Sequence, residues 1–337
     1  MSDRHESEPL TGAGAAREIA SRALPTPKTV SPEMRKLIGA PPGPFWNKRP
    51  QTAEEWKEIV AAAAQPTLRA LPALCERLRV GYERTMVDGV RAFSVVPREV
   101  SAENRNRLLL HIHGGCYVWN PAEAGLPEAV LMAGFGGFKV LSVDYRMPPE
   151  AFFPAALDDV VAAWKAAAKR EDPRRMAVFG TSAGGALTLS LILRAKAEGL
   201  PLPAAIASGT PMSDVTKTGD TFYTNELVDN VLVSRDGLCQ LAVEFYANGR
   251  ELADPRLSPA YGDYSGFPPT ILTSGTRDLL LSNTVRVHRK LRQAHVEAEL
   301  HVYEGQSHAQ YMFDDAAPET REAFQEIAGF FDRRLAR

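Results

Sequence analysis

A mostly parallel, doubly wound α/β sheet with an antiparallel start is the fold this sequence predicts. Three observations carry the prediction. From residue 108 onward, short apolar runs suited to strands alternate with stretches of helical period. Ahead of them, Asp88-Gly89 lies between two alternating runs, as in a two-residue hairpin. Ser182 stands in a G-x-S-x-G frame, after an apolar run ending at Gly180 and before a helical stretch beginning beyond Gly184. That is the strand–turn–helix setting in which a serine hydroxyl is held out on a sharp turn.

Taken in order, residues 1–15 are polar and read as a loose tail, and Ala16 to Leu78 has a helical pattern punctuated by prolines. Ser31-Pro32-Glu33 reads as an N-cap, a proline at the first helical position and an acid in the first turn. Thr52 and Glu55 have capping-box spacing, and Pro66 is expected to break or kink the helix they open. Residues 1–79 carry no sheet signal and are assigned to a helical cap segment. The main domain is 80–337. Its strands are expected on either side of Asp88-Gly89, then at 107–113, 139–144, 176–180, 204–208, 270–274 and 299–303. Helices are expected at 155–168, from the serine turn to about Glu198, after Asn283, and at 320–335. Residues 214–250 interrupt the alternation with apolar and aromatic residues on a helical pattern, and are assigned to a second cap insertion.

Composition narrows the function. The chain has 337 residues, 45% hydrophobic and 24% charged, with 39 basic against 41 acidic residues. A net charge of −2 offers no basic surplus for nucleic acid or an anionic membrane. No apolar run approaches the roughly 20 residues of a membrane span, and the N-terminus lacks a signal-peptide core. The expected compartment is the cytoplasm. The three cysteines, Cys75, Cys116 and Cys239, are odd in number and lack paired spacing, which argues against a disulfide framework or a zinc site. No G-x-G-x-x-G follows the first strand, so a dinucleotide-binding dehydrogenase is disfavoured. No metal or cofactor is called for.

Acyl transfer needs a nucleophile, a base, an orienting acid and donors for the oxyanion. In a sheet of this kind the order Ser, acid, His is expected, with each group at a strand's carboxyl end. Of the histidines after Ser182, His288 and His295 fall on a helix and His301 within a strand. His308 falls in a loop just past a strand. Among the acids, Asp214, Asp220, Asp229 and Asp236 belong to or border the insertion, while Asp254 and Asp263 precede a strand. Asp278 directly follows the run 270–274 and is favoured. Gly114 and Gly115, after the strand that ends near His113, can bring backbone N–H groups close to a ligand, and the N–H of Ala183 opens a helix. Substrate contacts are expected at Cys116 and Tyr117 beside the glycines, and at Phe222 and Leu227 in the insertion. Arg146 and Glu150 are read as structural, and Cys116 as no nucleophile, since no histidine is placed to activate it.

His113-Gly114-Gly115, Asp144-Tyr145-Arg146-Met147-Pro148-Pro149-Glu150, Phe153-Pro154-Ala155, Gly180-Thr181-Ser182-Ala183-Gly184, and Asp278 with His308 together resemble the hormone-sensitive-lipase family of α/β-hydrolases, in its microbial branch with a G-T-S-A-G elbow. The resemblance covers about residues 80–335. It implies an α/β-hydrolase fold with a helical cap, and a serine carboxylesterase acting on short- to medium-chain acyl esters. Ser182 would be the nucleophile, His308 the general base and acid, and Asp278 the orienting acid, with the oxyanion hole at Gly114, Gly115 and Ala183. Amide, carbamate or lactone hydrolysis would use the same groups. A non-catalytic receptor on this scaffold would lack one of the three, and all three are present. Homodimers are frequent in the family, though no interface is read from these residues. The chain departs from the family at Cys116, in the fourth place of the glycine motif, at Ala309-Gln310 after the histidine, and at Leu279-Leu280 after the acid.

Overall fold

The computed structural model describes residue 21 and residues 23–336; the expected loose tail over 1–15 and the helical onset at 16 lie outside the described residues. Eight strands form one sheet in the order β1-β2-β4-β3-β5-β6-β7-β8. They are β1 (Val80–Val87), β2 (Val90–Pro97), β3 (Leu108–Ile112), β4 (Lys139–Val143), β5 (Met176–Thr181), β6 (Ala205–Gly209), β7 (Thr270–Gly275) and β8 (Ala298–Tyr303). The first two form the expected hairpin, Val87 pairing with Val90 around Asp88 and Gly89, both at positive φ. β2 runs antiparallel to β4, and every later pairing is parallel.

The strand period sorts side chains onto two helical layers. Leu110, Ile112, Val178, Ile206 and Leu272 face one apolar cluster with α4 (Ala155–Arg170), α5 (Ala183–Ala197) and α8 (Leu281–Gln293). Their neighbours Leu109, Ala177, Phe179, Ala205, Ala207 and Ile271 face the other, with α2 (Ala53–Leu78), α3 (Pro127–Gly136) and α9 (Pro318–Asp332). Strands β5, β6 and β7 are buried along their whole length, which is why they read as unbroken apolar runs.

Ser31 and Thr52 cap α1 (Pro32–Ile38) and α2 as expected, accepting from Met34 N–H and Glu55 N–H. Of the break or kink expected at Pro66, the break does not occur: α2 runs 26 residues through Pro66 and Pro72. Each proline forfeits a backbone hydrogen bond, but the buried face of Trp56, Ala64, Leu71, Leu74 and Cys75 runs past both. Trp56 stacks on Phe245 at 5.1 Å. Helix α3 carries no helical signal in the sequence, because its residues 128–133 are buried all round and show no polar face. The insertion 214–250 is mostly loop, with helix only at α6 (Thr221–Thr224) and α7 (Leu238–Ala247).

The cysteines overturn the expectation of no disulfide. Cys116 and Cys239 are bonded, with Cα atoms 5.8 Å apart, while Cys75 is free and buried. The partners lie 123 residues apart, so only the fold, which brings α7 beside the loop after β3, makes them neighbours. In chain-entropy terms a bridge closing so long a loop is worth about 4–5 kcal/mol. Among the described residues no helix is long and apolar enough to cross a membrane. No group of His, Cys, Asp and Glu among them is placed to hold a metal ion.

Candidate active site

Ser182 sits between β5 and α5 at φ 63° and ψ −120°, a conformation that L-residues rarely adopt. Holding such a residue costs about 1–3 kcal/mol, so its surroundings must fix it. Ser182 N–H donates to Gly209 O at 2.9 Å, and Ser182 O accepts from Met212 N–H at 3.0 Å and Ala186 N–H at 2.9 Å. A Cβ at Gly184 would collide with Ile112 O, so the turn tolerates no side chain there. The motif's second glycine is thus required by close packing of α5 on β3.

The loops after β7 and β8 bring Asp278 and His308 together, the His308 Nδ1 lying 3.1 Å from Asp278 Oδ1. Both are buried. Asp278 also accepts from Ser274 Oγ at 2.7 Å, Leu280 N–H at 2.8 Å and Thr210 Oγ1. Burial works against its charge, but the facing His308 and these hydrogen bonds outweigh it and hold the carboxyl below its usual range. The rival acids are engaged elsewhere. Asp254 pairs with Arg256 at 2.6 Å, Asp214 with Arg286, and Asp236 with Lys217 at 2.7 Å. Among the rival histidines, His301 meets Glu326 at 2.8 Å on β8. Arg146 pairs with Asp159, not Glu150, and fixes the start of α4.

The network holds a further acid that lies outside the site residues expected from the sequence. Asp229, in the insertion, is fully buried and accepts from four backbone N–H groups. Its Oδ2 takes Leu279 at 2.8 Å and His308 at 3.2 Å, and its Oδ1 takes Val231 at 2.8 Å and Leu232 at 3.1 Å. A single carboxylate therefore ties the acid loop, the histidine loop and the insertion together. Burial, then the Asp278 charge, push its carboxyl up to about 6 against the pull of His308 and the backbone donors. The sequence does not mark it, since Val231 and Leu232 make only an ordinary local turn with it, while the donors that tie it to the site lie 50 and 79 residues away. Asp229→Asn presents an NH2 to donors that need an acceptor. It should lower kcat on esters about 10- to 100-fold with little change in KM, as expected for misplaced reacting groups. Steady-state kinetics check this, and a change confined to KM would assign Asp229 to substrate binding instead.

The loop after β3 faces the elbow. A Cβ at Gly114 would lie 2.6 Å from Thr181 O and 3.3 Å from Ser182 Cβ. Gly115 follows at φ 122°, then Cys116 and Tyr117 at φ 49° and 65°. His113 anchors this path: its Nδ1 donates to Gly114 O at 2.8 Å, and its ring stacks on Tyr145 at 4.1 Å. Burial pushes the imidazole down to about 4, so it is neutral at ordinary pH. Tyr145 OH donates to His113 O at 2.9 Å, which explains why the 144–150 motif accompanies the glycines. Ala183 is the first residue of α5, where backbone N–H groups lack intrahelical partners. Beneath the elbow, Thr181 Oγ1 bonds to Glu128 and to Tyr311 OH, each at 2.6 Å, and Glu128 meets His111 at 3.1 Å.

Ser182, His308, Gly114 and Gly115 line one cavity of about 650 Å³. Its lining includes residues of α2, α3 and 309–315, among them the Arg77–Asp315 pair at 2.7 Å. Phe45, Trp46, Trp119, Leu232, Leu238 and the Cys116–Cys239 bridge line it as well. Of the four expected substrate contacts, only Cys116 lines this space. Tyr117 is buried behind the loop, stacked on Tyr246 at 4.5 Å. Phe222 lines a separate small pocket, and Leu227 is 70% exposed. The apolar residues of the insertion that do reach the cavity are Val231, Leu232 and Leu238.

A family model described as alpha/beta hydrolase fold matches residues 109–312, more than half of the chain. An acetyl-hydrolase of Streptomyces hygroscopicus is 30% identical over 233 residues, covering 69% of this chain and 77% of that protein. The crystal structure of an esterase superposes with a TM-score of 0.91 at 41% identity, covering 95% of this chain and 99% of its own. An esterase described as from the bacterial hormone-sensitive lipase family superposes with a TM-score of 0.76 at 27% identity, covering 91% and 99%. The sheet order, the elbow and these likenesses agree, and the chain belongs to the hormone-sensitive-lipase family of α/β-hydrolases.

Proposed function

We propose that this protein is a serine carboxylesterase for short- to medium-chain acyl esters. The observation that carries the reading is Ser182 on a strained elbow, in one cavity with a buried His308–Asp278 pair. His308 takes the Ser182 proton as the hydroxyl oxygen attacks the ester carbonyl. Backbone N–H groups of Gly114, Gly115 and Ala183 receive the oxyanion, and the tetrahedral intermediate collapses as His308 returns the proton to the leaving alcohol. Water then repeats the sequence on the acyl-enzyme. Asp278 holds the imidazole with Nδ1 protonated and stabilises its charged form. Thr210, which contacts both the Asp278 carboxylate and the His308 Nδ1, narrows the ring's freedom. The segment before β1 and the insertion 214–250 act as a cap, since both contribute walls to the cavity. The apolar residues of the lining, Phe45, Trp46, Trp119, Leu232 and Leu238, favour acyl chains of limited length over an interfacial lipid.

The reading is tested with p-nitrophenyl esters from acetate to dodecanoate beside the p-nitroanilide of the best acyl group. The expected result is a maximum at short to medium chains and far slower anilide cleavage. Anilide turnover equal to the ester's would move the activity to amides, and a maximum at dodecanoate would overturn the chain-length assignment.

A further inference from the structure

We propose that the Cys116–Cys239 bridge is a redox-opened tether between cap and oxyanion loop that limits the acyl length the ester site accepts. The proposal rests on the carboxylesterase reading and adds what sets its selectivity. Cys116 follows the two glycines of the loop, Cys239 lies in the first turn of α7, and both border the cavity. The bridge thus forms part of the cavity wall.

Opening it frees a defined unit. Leu238 N–H donates to Trp46 O at 2.7 Å and Arg49 Nη2 to Asp236 O at 2.7 Å, so the start of α7 and the 43–49 segment move together. With them move Phe45, Trp46 and Leu238, which line the same cavity. The oxyanion loop keeps other restraints in either state. Val118 and Trp119 N–H groups donate to Gly115 O at 2.9 and 2.8 Å, and His113 Nδ1 donates to Gly114 O at 2.8 Å. Hydrolysis of short esters therefore persists while the cavity lengthens.

Cys239 is half-buried and Cys116 is 4% exposed, so a reductant reaches the Cys239 sulfur first. A thiolate of dithiothreitol attacks that sulfur, the sulfur–sulfur bond breaks, and Cys116 leaves as a thiolate. The second thiol of the reagent then displaces Cys239 as its own cyclic disulfide closes. Two electrons and two protons pass from the reductant, and both cysteines end as thiols.

The test measures kcat/KM for p-nitrophenyl butyrate and octanoate on oxidised protein, on protein treated with dithiothreitol, and on Cys239→Ser. Thiol labelling of the denatured samples, read by intact mass, reports the bridge independently of turnover. Reduction should raise the octanoate-to-butyrate ratio about tenfold, the discrimination that a methylene or so makes in an apolar pocket. Cys239→Ser should show the raised ratio at once and ignore reductant. An unchanged ratio on reduction, an equal response in Cys239→Ser, or free thiols at both positions in the oxidised sample would each overturn the tether. No hydrolysis in any sample, with the bridge present by mass, would overturn the ester reading and the selectivity with it.

Discussion

Replacing Ser182 by alanine should lower kcat/KM on a short-chain p-nitrophenyl ester by about 10⁵ or more while the protein still unfolds in one cooperative transition. The size follows from the mechanism. Without the hydroxyl no acyl-enzyme forms, and what remains is water attack assisted by the oxyanion donors and by binding alone. The fold should survive, because Ser182 is held by its backbone, through Gly209 O, Met212 N–H and Ala186 N–H, and alanine keeps those bonds. Stopped assays on purified variant and parent, with thermal unfolding alongside, check both halves. Equal rates would remove Ser182 from the chemistry.

Asp278→Asn should lower kcat by about 10³–10⁴ with KM nearly unchanged, since the amide favours the wrong imidazole tautomer and no longer stabilises the charged ring. Three further donors converge on this carboxylate, so asparagine also leaves Ser274 or Thr210 facing an NH2 group. Asp254→Asn should stay within about twofold, because it only loosens a local pair with Arg256 on the loop surface. A large loss at Asp254 with none at Asp278 would reassign the acid. The contrast with Asp229→Asn is in size: Asp229 holds the backbone of His308 rather than its ring.

What was legible in the sequence follows from how local each signal is. Strands β5, β6 and β7 were readable because full burial makes them continuous apolar runs, and the hairpin because Asp88-Gly89 suits its positive φ values. Ser182, Asp278 and His308 could be located by their distance past a strand, a rule that needs no tertiary contact. The structure brings these residues together around one cavity and one carboxylate network. The failures share the opposite cause. Helix α3 is buried on every side and so lacks a period, and the continuity of α2 through two prolines depends on a face packed against other elements. Asp229 gains two of its four partners from segments 50 and 79 residues away, and the disulfide joins cysteines 123 residues apart. The choice of Tyr117, Phe222 and Leu227 rested on their lying in the right segment. Which side chain of a loop faces a cavity is set by backbone turns that composition does not encode.

The central claim is that Ser182 is the attacking group of an acyl-transfer site. It is tested most directly by reaction with a fluorophosphonate ester, followed by peptide mapping by mass spectrometry. The account predicts one phosphonyl group per chain, on the peptide containing Ser182, with hydrolysis lost in step with labelling and no adduct in Ser182→Ala. Stoichiometric labelling at another residue, or full ester hydrolysis after Ser182 has been modified, would contradict it.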